Sequence, residues 1–389
     1  MNGKLLFLLI TLVVFTTTSQ EDASEKLSFE DVSQSISSTS MPYFSGLNGY
    51  FSFRIPALIK TNKTVLAFAE GRKNSTSDFG DIDLVVRRSE DNGQTWAPLQ
   101  LIYDQDTMAV QNPVPIYLKQ ENKIILLFNT TTLSEHDILH TDYKEENQRR
   151  AYITSSLDDG LSWSTPREIT QTVKQQHWRW HALGPVHGIQ LRHGANKGRI
   201  VVPVAISIKK GSSAYCMALI YSDDSANSWK IGAVDNNLND AVQSNETTIV
   251  ELLDGRIYVN TRDHLGGSHL KNRGETYSLD GGLSFEEPII ESDKFPSPIV
   301  QSALLRWYPR ENTARNMIFF STPSNPEKRE HLIIMLSTDE SQSWKTVFKV
   351  HNGFAAYSDM VQLDGNTLGV LYETDEYKKI LFRQVTIKQ

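Results

Sequence analysis

Short apolar runs, each punctuated by turn residues, set the texture of the chain. "KTVLAFAE", "DIDLVVRRS", "KIILLFN", "GRIVVPVAIS", "GRIYVNTR" and "HLIIMLS" are short runs rich in β-branched and aromatic residues that alternate with turn-rich stretches. Apolar residues spaced for a long amphipathic helix are hard to find. The pattern predicts an all-β chain of many short antiparallel strands.

A second periodicity sits on top of the first. "SEDNGQTW" (Ser89–Trp96), "SLDDGLSW" (Ser156–Trp163), "SDDSANSW" (Ser222–Trp229), "SLDGGLSF" (Ser278–Phe285) and "STDESQSW" (Ser337–Trp344) each follow an apolar run. The aspartate can accept backbone N–H groups within the turn, the glycine supplies positive φ, and the aromatic packs beneath. The copies with Ala226 and Ser341 in the glycine neighbourhood are expected to turn less ideally. Five near-regular copies serve architecture better than metal or acid–base chemistry. A repeat of roughly 55–70 residues suits a four-stranded sheet, so the expected fold is a six-bladed β-propeller with four-stranded antiparallel blades in one domain.

Composition refines this picture. The 389 residues carry a net charge of -7, which argues against nucleic acid as the main partner. Residues 1–20, with Lys4 ahead of the apolar run Leu5–Phe15 and then "TTTSQ", read as a secretory leader. The run is about 11 residues, short of the ~20 that span a bilayer, so no stable membrane insertion is expected. Residues 21–42 are polar and Ser/Thr-rich and read as a flexible lead-in, with the propeller at 43–389. The single cysteine, Cys216, lies in an apolar run and reads as buried. Sequons at Asn62, Asn74, Asn129 and Asn245 fit a secretory route, secreted or lysosomal.

"YFSFRIPALI" places Arg54 in an apolar strand just before Ile55 and Pro56. The aromatic-closed turns resemble the Asp boxes of sialidase (neuraminidase) propellers, and "FRIP" resembles the motif opening their first blade. The likeness runs from about Tyr43 to the C-terminus. It implies an exo-alpha-sialidase, a glycoside hydrolase that releases terminal sialic acid from glycoproteins, glycolipids or oligosaccharides, without a cofactor. By resemblance, Arg54, Arg262 and Arg329 hold the sugar carboxylate, for which guanidinium forks are suited and lysine is not. Glu373 resembles the carboxylate that fixes Arg54.

The same resemblance assigns the chemistry. Sialidases are an exception among retaining glycosidases in attacking with tyrosine. An anionic nucleophile would be repelled by the carboxylate on the anomeric carbon, whereas a phenol arrives neutral and needs a base. Tyr357 matches the nucleophile, with Tyr372 and Tyr377 as decoys. Glu246, sixteen residues before Arg262, matches the base. Asp78 matches the acid–base residue better than Asp81, and Asp83 reads as structural. Asp78 is expected to have a raised pKa. Arg72 is a further substrate contact and Glu70 a support for it or for Arg54.

"QNPVPIYL" (Gln111–Leu118) and "HWRWHALGPVHGIQL" (His177–Leu191) resemble substrate-side loops. His177, His181 and His187 fit no standard zinc spacing, so no metal site is expected. Asn245 adjoins Glu246, and a glycan there would obstruct the site, so it is expected to be bare. A trans-sialidase would use the same residues. A sialic-acid-binding lectin would lack Tyr357 or Asp78, and neither is missing.

Overall fold

The computed structural model describes residues 33–142, 144, 148–210, 215–235, 242–308 and 317–388. The expected leader therefore lies outside the described residues. Strand follows strand along the chain. After β1 (Ser33–Phe44) come β2 (Ser52–Lys60), β3 (Val65–Arg72), β4 (Ile82–Ser89) and β5 (Gln100–Tyr103). Next are β6 (Ala109–Leu118), β7 (Lys123–Thr131), β8 (Arg150–Ser156) and β9 (Arg167–Glu168), with helices α1 (Glu135–His140) and α2 (Thr170–Val173) between them. The third group is β10 (His181–Leu183), β11 (Ile189–Gln190), β12 (Ile200–Ser207), β13 (Tyr215–Ser222) and β14 (Lys230–Val234). Then come β15 (Ser244–Glu251), β16 (Ile257–Asp263), β17 (Arg273–Ser278) and β18 (Ile290–Ser292). The chain ends with β19 (Ala303–Arg306), β20 (Ile318–Pro323), β21 (Leu332–Ser337), β22 (Lys345–Lys349), β23 (Ala355–Gln362), β24 (Thr367–Thr374) and β25 (Lys379–Lys388).

The arrangement is a β-propeller, but its hydrogen bonding does not give six separate blades. Four sheets are separate blades built on a four-strand path: β1-β25-β24-β23, β10-β12-β13-β14, β15-β16-β17-β18 and β19-β20-β21-β22. The remaining strands, β2 to β9, make one eight-stranded sheet. Its two antiparallel halves meet at a single parallel bridge, Ile82 to Ala109. A strand-length repeat cannot foresee one such bridge.

β1 also corrects the sequence reading. Residues 33–44 are not a free lead-in but a strand paired along β25, from Ser33↔Lys388 to Phe44↔Lys379. This outermost strand comes from the opposite end of the chain and closes the ring by covering the edge of β25. Much of it is exposed, Ile36, Met41 and Phe44 included, so hydrophobic alternation is absent where a strand was to be recognised.

Apolar clusters fill the spaces between neighbouring sheets. Trp178 and Trp229 pack with Val202, Val204 and Ile220; Trp307, Met317 and Tyr372 form another such layer. The Asp boxes hold each outer corner. Asp91 accepts the Thr95 N–H at 2.9 Å, and Asp158, Asp224, Asp280 and Asp339 repeat the bond with Ser162, Ser228, Ser284 and Ser343. The copies lacking glycine turn like the rest. Ala226 and Ser341 adopt φ of 70° and 69°, against 80° for Gly160, and each donates its N–H to the box's first serine. The surrounding bonds outweigh the cost of a Cβ in the left-handed region.

Candidate active site

The innermost strands pack on one another around the axis, and four of them share one irregularity. β2 slips register between Arg54 and Ala57, β6 between Gln111 and Val114, β15 between Ser244 and Thr247, and β23 between Ala355 and Ser358. A bulge re-aims side chains away from strict alternation. These four bulges sit at Arg54, Gln111, Glu246 and Tyr357. At the first, Ile55 holds φ of 56°, an outlier for a β-branched residue and a place where the fold stores strain. Pro56 follows it and has no N–H to lose.

The Ile55 N–H, freed from the ladder, donates to Glu373 at 2.8 Å. Arg54 turns inward, and its Nε bonds Glu373 Oε1 at 2.7 Å. The second oxygen of Glu373 accepts the Tyr357 N–H at 3.2 Å. One fully buried carboxylate thus ties β2, β23 and β24 together beneath the site. Burial disfavours the charge on Arg54, but Glu373 beside it more than compensates, and its pKa lies above the ordinary value.

Tyr357 is the point of convergence. Its hydroxyl donates to Glu246. Arg262 Nη1 bonds Glu246 at 2.7 Å and the Tyr357 oxygen at 3.3 Å. The guanidinium carbons of Arg54 and Arg329 stand 5.5 and 5.6 Å from the centre of the Tyr357 ring. Burial, then the negative charge of Glu246, push the phenol well above its usual pKa, while Arg262, Arg329 and Arg54 pull the other way. A neutral phenol in a ring of three cations, with a carboxylate on its proton, is an arrangement that can hold an anionic ligand and in which the carboxylate can take the phenolic proton.

Arg329 lies just ahead of β21 and is held differently. Its Nη1 donates to the Tyr377 hydroxyl at 2.9 Å and its Nη2 to the Ile299 carbonyl at 3.2 Å. Tyr377, foreseen only as a decoy for the nucleophile, is a spacer. Its ring also stacks on Arg54, 3.9 Å from the guanidinium, so it keeps two like charges in fixed positions.

Asp78 stands on the other side, in the loop between β3 and β4. Arg72 contacts it at 2.7 Å and Arg54 at 3.7 Å, while Glu70 pairs with Arg72 at 2.6 Å. Glu70 therefore supports Arg72 and not Arg54. The expected rise of the Asp78 pKa does not occur. Desolvation pushes it up, but Arg72 and Arg54, with Arg329 behind them, hold the carboxyl below its ordinary range. Asp83 lies inside β4 and accepts the Tyr50 hydroxyl at 2.6 Å. Asp81, Asp83 and Asp104 all point at Lys73 Nζ, at 3.0, 3.2 and 3.4 Å, so an ammonium occupies the middle of that acidic group.

The histidines do not converge. His181 is fully buried, and burial lowers its pKa to about 3. His187 is bonded to Asp359 at 2.7 Å, which also accepts the Leu58 N–H. Cys216 is buried. Asn245 is buried and its amide lies 2.7 Å from His264 Nδ1, and Asn129 is fully buried, whereas Asn62 and Asn74 are exposed. Two groups beside the site went unforeseen. Glu135 on α1 accepts the Tyr215 hydroxyl, and Arg149 lies over Trp180, 4.5 Å from the ring centre. Only the stretch containing Trp180 carried a signal.

Comparison with known proteins bears on the family and the fold. Residues 63–370 match the BNR repeat-like domain. The chain belongs to that family. Its relatives are sialidases, as the sequence resemblance implied. It is 29% identical to a sialidase of Micromonospora viridifaciens over 85% of this chain and 51% of the relative. It is 28% identical to Sialidase-2 of Mus musculus over 88% of this chain and 94% of the relative. Among solved structures, the Hadza microbial sialidase Hz136 superposes with a TM-score of 0.76 at 24% identity, covering 87% of this chain and 66% of that one. The intramolecular trans-sialidase from Ruminococcus gnavus superposes with a TM-score of 0.74 at 17% identity, covering 88% and 96%. At those identities the structures speak for the fold. The chain thus spans about half the length of the bacterial sialidase and nearly all of the mouse one.

Proposed function

We propose that this sialidase-family chain is an exo-alpha-sialidase that hydrolyses terminal α-linked sialic acid with retention through a tyrosyl intermediate. The carrying observation is the convergence of Arg54, Arg262 and Arg329 on Tyr357 while its hydroxyl is held by Glu246. The three guanidinium groups bind the sugar carboxylate, each charge-assisted bond contributing roughly 1.5–3 kcal/mol. That term selects acidic over neutral sugars.

Binding also primes the acid. The substrate carboxylate offsets the positive field that keeps Asp78 ionised, so the Asp78 pKa rises in the complex. Asp78 then protonates the departing oxygen as Glu246 takes the phenolic proton and Tyr357 attacks the anomeric carbon. In the second step Asp78 deprotonates water, which displaces Tyr357, and Glu246 returns the proton. Sialylated glycoproteins, glycolipids and oligosaccharides are the substrates. The eight-stranded sheet works as two blades, making six around the site, and the catalytic unit runs from the start of β1. The leader-like composition of residues 1–20 and the exposed sequons support a secretory route, secreted or lysosomal. Among the described residues no helix is long and apolar enough to cross a membrane.

The test is incubation with an α-sialoside, following the released sugar by NMR, beside Tyr357→Phe. The α-anomer appearing first supports retention by hydrolysis, and the β-anomer first contradicts it. A 2,7-anhydro product would mean that a hydroxyl of the sugar itself, not water, resolves the intermediate. Such a result would place the chain with the intramolecular trans-sialidase from Ruminococcus gnavus in activity as well as in fold.

A further inference from the structure

Asp78 presents a problem that the catalytic residues do not solve. Its side chain is 78% exposed, so packing does not fix it, yet an acid must meet the leaving oxygen within a few tenths of an ångström. Lys73 N–H to the Asp81 carbonyl closes the neck of the loop at 3.1 Å. Arg72 grips the carboxylate and the Thr76 carbonyl. The main chain of Asp78 is held by another residue: its carbonyl accepts Gln111 Nε2 at 2.7 Å.

Gln111 is 4% exposed and sits at the β6 bulge. A glutamine amide can present either its oxygen or its nitrogen, and only its partners decide. Here Arg149 decides, because Nη1 at 2.8 Å from Gln111 Oε1 can only donate. Oε1 must therefore face Arg149, and Nε2 must face the loop.

Arg149 is itself unusual. It is 2% exposed, and among the described residues no carboxylate lies within ion-pair distance. Its Nε has no hydrogen-bond partner. A guanidinium buried in this way costs stability unless it does something that a neutral residue cannot. Its charge, burial and stacking on Trp180 suit it to one task, fixing which way Gln111 points.

We infer that Gln111, oriented by Arg149, is the positioning residue that sets the catalytic loop so that Asp78 meets the leaving group. This rests on the reading of Asp78 as the acid. The Arg149–Gln111–Asp78 relay acts on protonation of the departing oxygen and not on carboxylate binding or nucleophilic attack. Its loss must therefore depend on how much the leaving group needs a proton.

The experiment compares kcat on two substrates in the full chain: 3′-sialyllactose, whose alkoxide leaves poorly unless protonated, and a 4-methylumbelliferyl sialoside, whose phenolate leaves readily. Gln111→Ala is expected to lower kcat on sialyllactose about tenfold or more, up to the 10²–10⁴-fold of a lost general acid, and on the aryl sialoside by a few-fold at most. Because a buried glutamine can matter for folding, Arg149→Met is the companion variant. It removes an unpaired charge, so it should fold, and it should show the same substrate split, more weakly. Equal losses on both substrates, or no loss on either, in variants with the wild-type unfolding midpoint would overturn the inference while leaving the sialidase reading intact. A wild-type protein that cleaves neither substrate would overturn that reading and the inference with it.

Discussion

The two sides of the site are built in opposite ways. Glu246, Arg262 and Tyr357 stand on strands β15, β16 and β23, are bonded to one another, and are well covered. Asp78 stands on a loop, is open to solvent, and is held by Arg72 and by Gln111. In the proposed mechanism the first of these is the nucleophile side, held by strands so that its geometry is ready before substrate arrives. The acid side, in the same mechanism, gives a proton to the leaving group and then takes one from water, so it needs access, and it gains position from ties to its main chain. Preorganisation and exposure are divided between two faces of one cleft.

The largest expected effect breaks the rigid side. Tyr357→Phe keeps the packing and removes the nucleophile, and kcat should fall by ~10³-fold or more with little change in KM. A loss below tenfold, measured by steady-state kinetics, would mean that another group attacks.

Next is the acid side. Asp78→Ala should lower kcat by about 10²–10⁴-fold on alkyl sialosides and much less on aryl ones. Tyr357→Phe should impair both substrates alike. If the two variants showed the same leaving-group dependence, the division of labour would be wrong.

The arginines sharpen the contrast further. Arg54→Ala strands buried Glu373, partly relieved by two backbone N–H groups, and should cost up to about 3–5 kcal/mol of stability in denaturant unfolding. Arg329→Ala leaves no buried carboxylate behind. It should chiefly raise KM, by about 10–100-fold for the loss of a charge-assisted contact. Comparable unfolding losses for the two would contradict the anchoring role of Glu373.

The pH profile gives a smaller effect with a definite sign. Asp78 must be protonated to act, and in the free enzyme Arg72 and Arg54 hold its pKa down. kcat/KM should therefore decline as pH rises from the acid side. Arg72→Met removes a positive neighbour, makes ionisation harder, raises the Asp78 pKa, and moves that decline to higher pH. A shift to lower pH would refute the assignment. The smallest effect concerns glycans. Asn74, in the Asp78 loop, is exposed, and Asn245, on β15, is buried against His264. Glycopeptide mass spectrometry should find a glycan at Asn74 and none at Asn245.

These contrasts also explain what could be read from the chain. Arg54 stood out because an arginine inside an apolar strand needs an anion, and Glu373 answers it. Glu246 and Tyr357 were located through resemblance, and the structure brings them together with Arg262. Tyr377 and Arg149 were illegible in those roles, because their meaning lies in partners 48 and 38 residues away that share no local motif. The Asp78 pKa was misjudged for a similar reason. The expectation came from the acid role alone, whereas the deciding charges, Arg54 and Arg72, come from β2 and β3. The strand β1 escaped notice because an edge strand with a solvent face shows no hydrophobic alternation, and its partner lies at the far end of the sequence.

The central claim is that the phenol oxygen of Tyr357 forms the covalent bond. 2,3-Difluorosialic acid tests it directly, because fluorine beside the anomeric carbon destabilises the oxocarbenium-like transition state and slows release of the intermediate. After brief incubation and proteolysis, mass spectrometry should place the fluorinated sugar on the peptide containing Tyr357, and Tyr357→Phe should show no adduct. A sugar attached to Glu246 or to any other side chain, or an adduct that persists in Tyr357→Phe, would contradict the account.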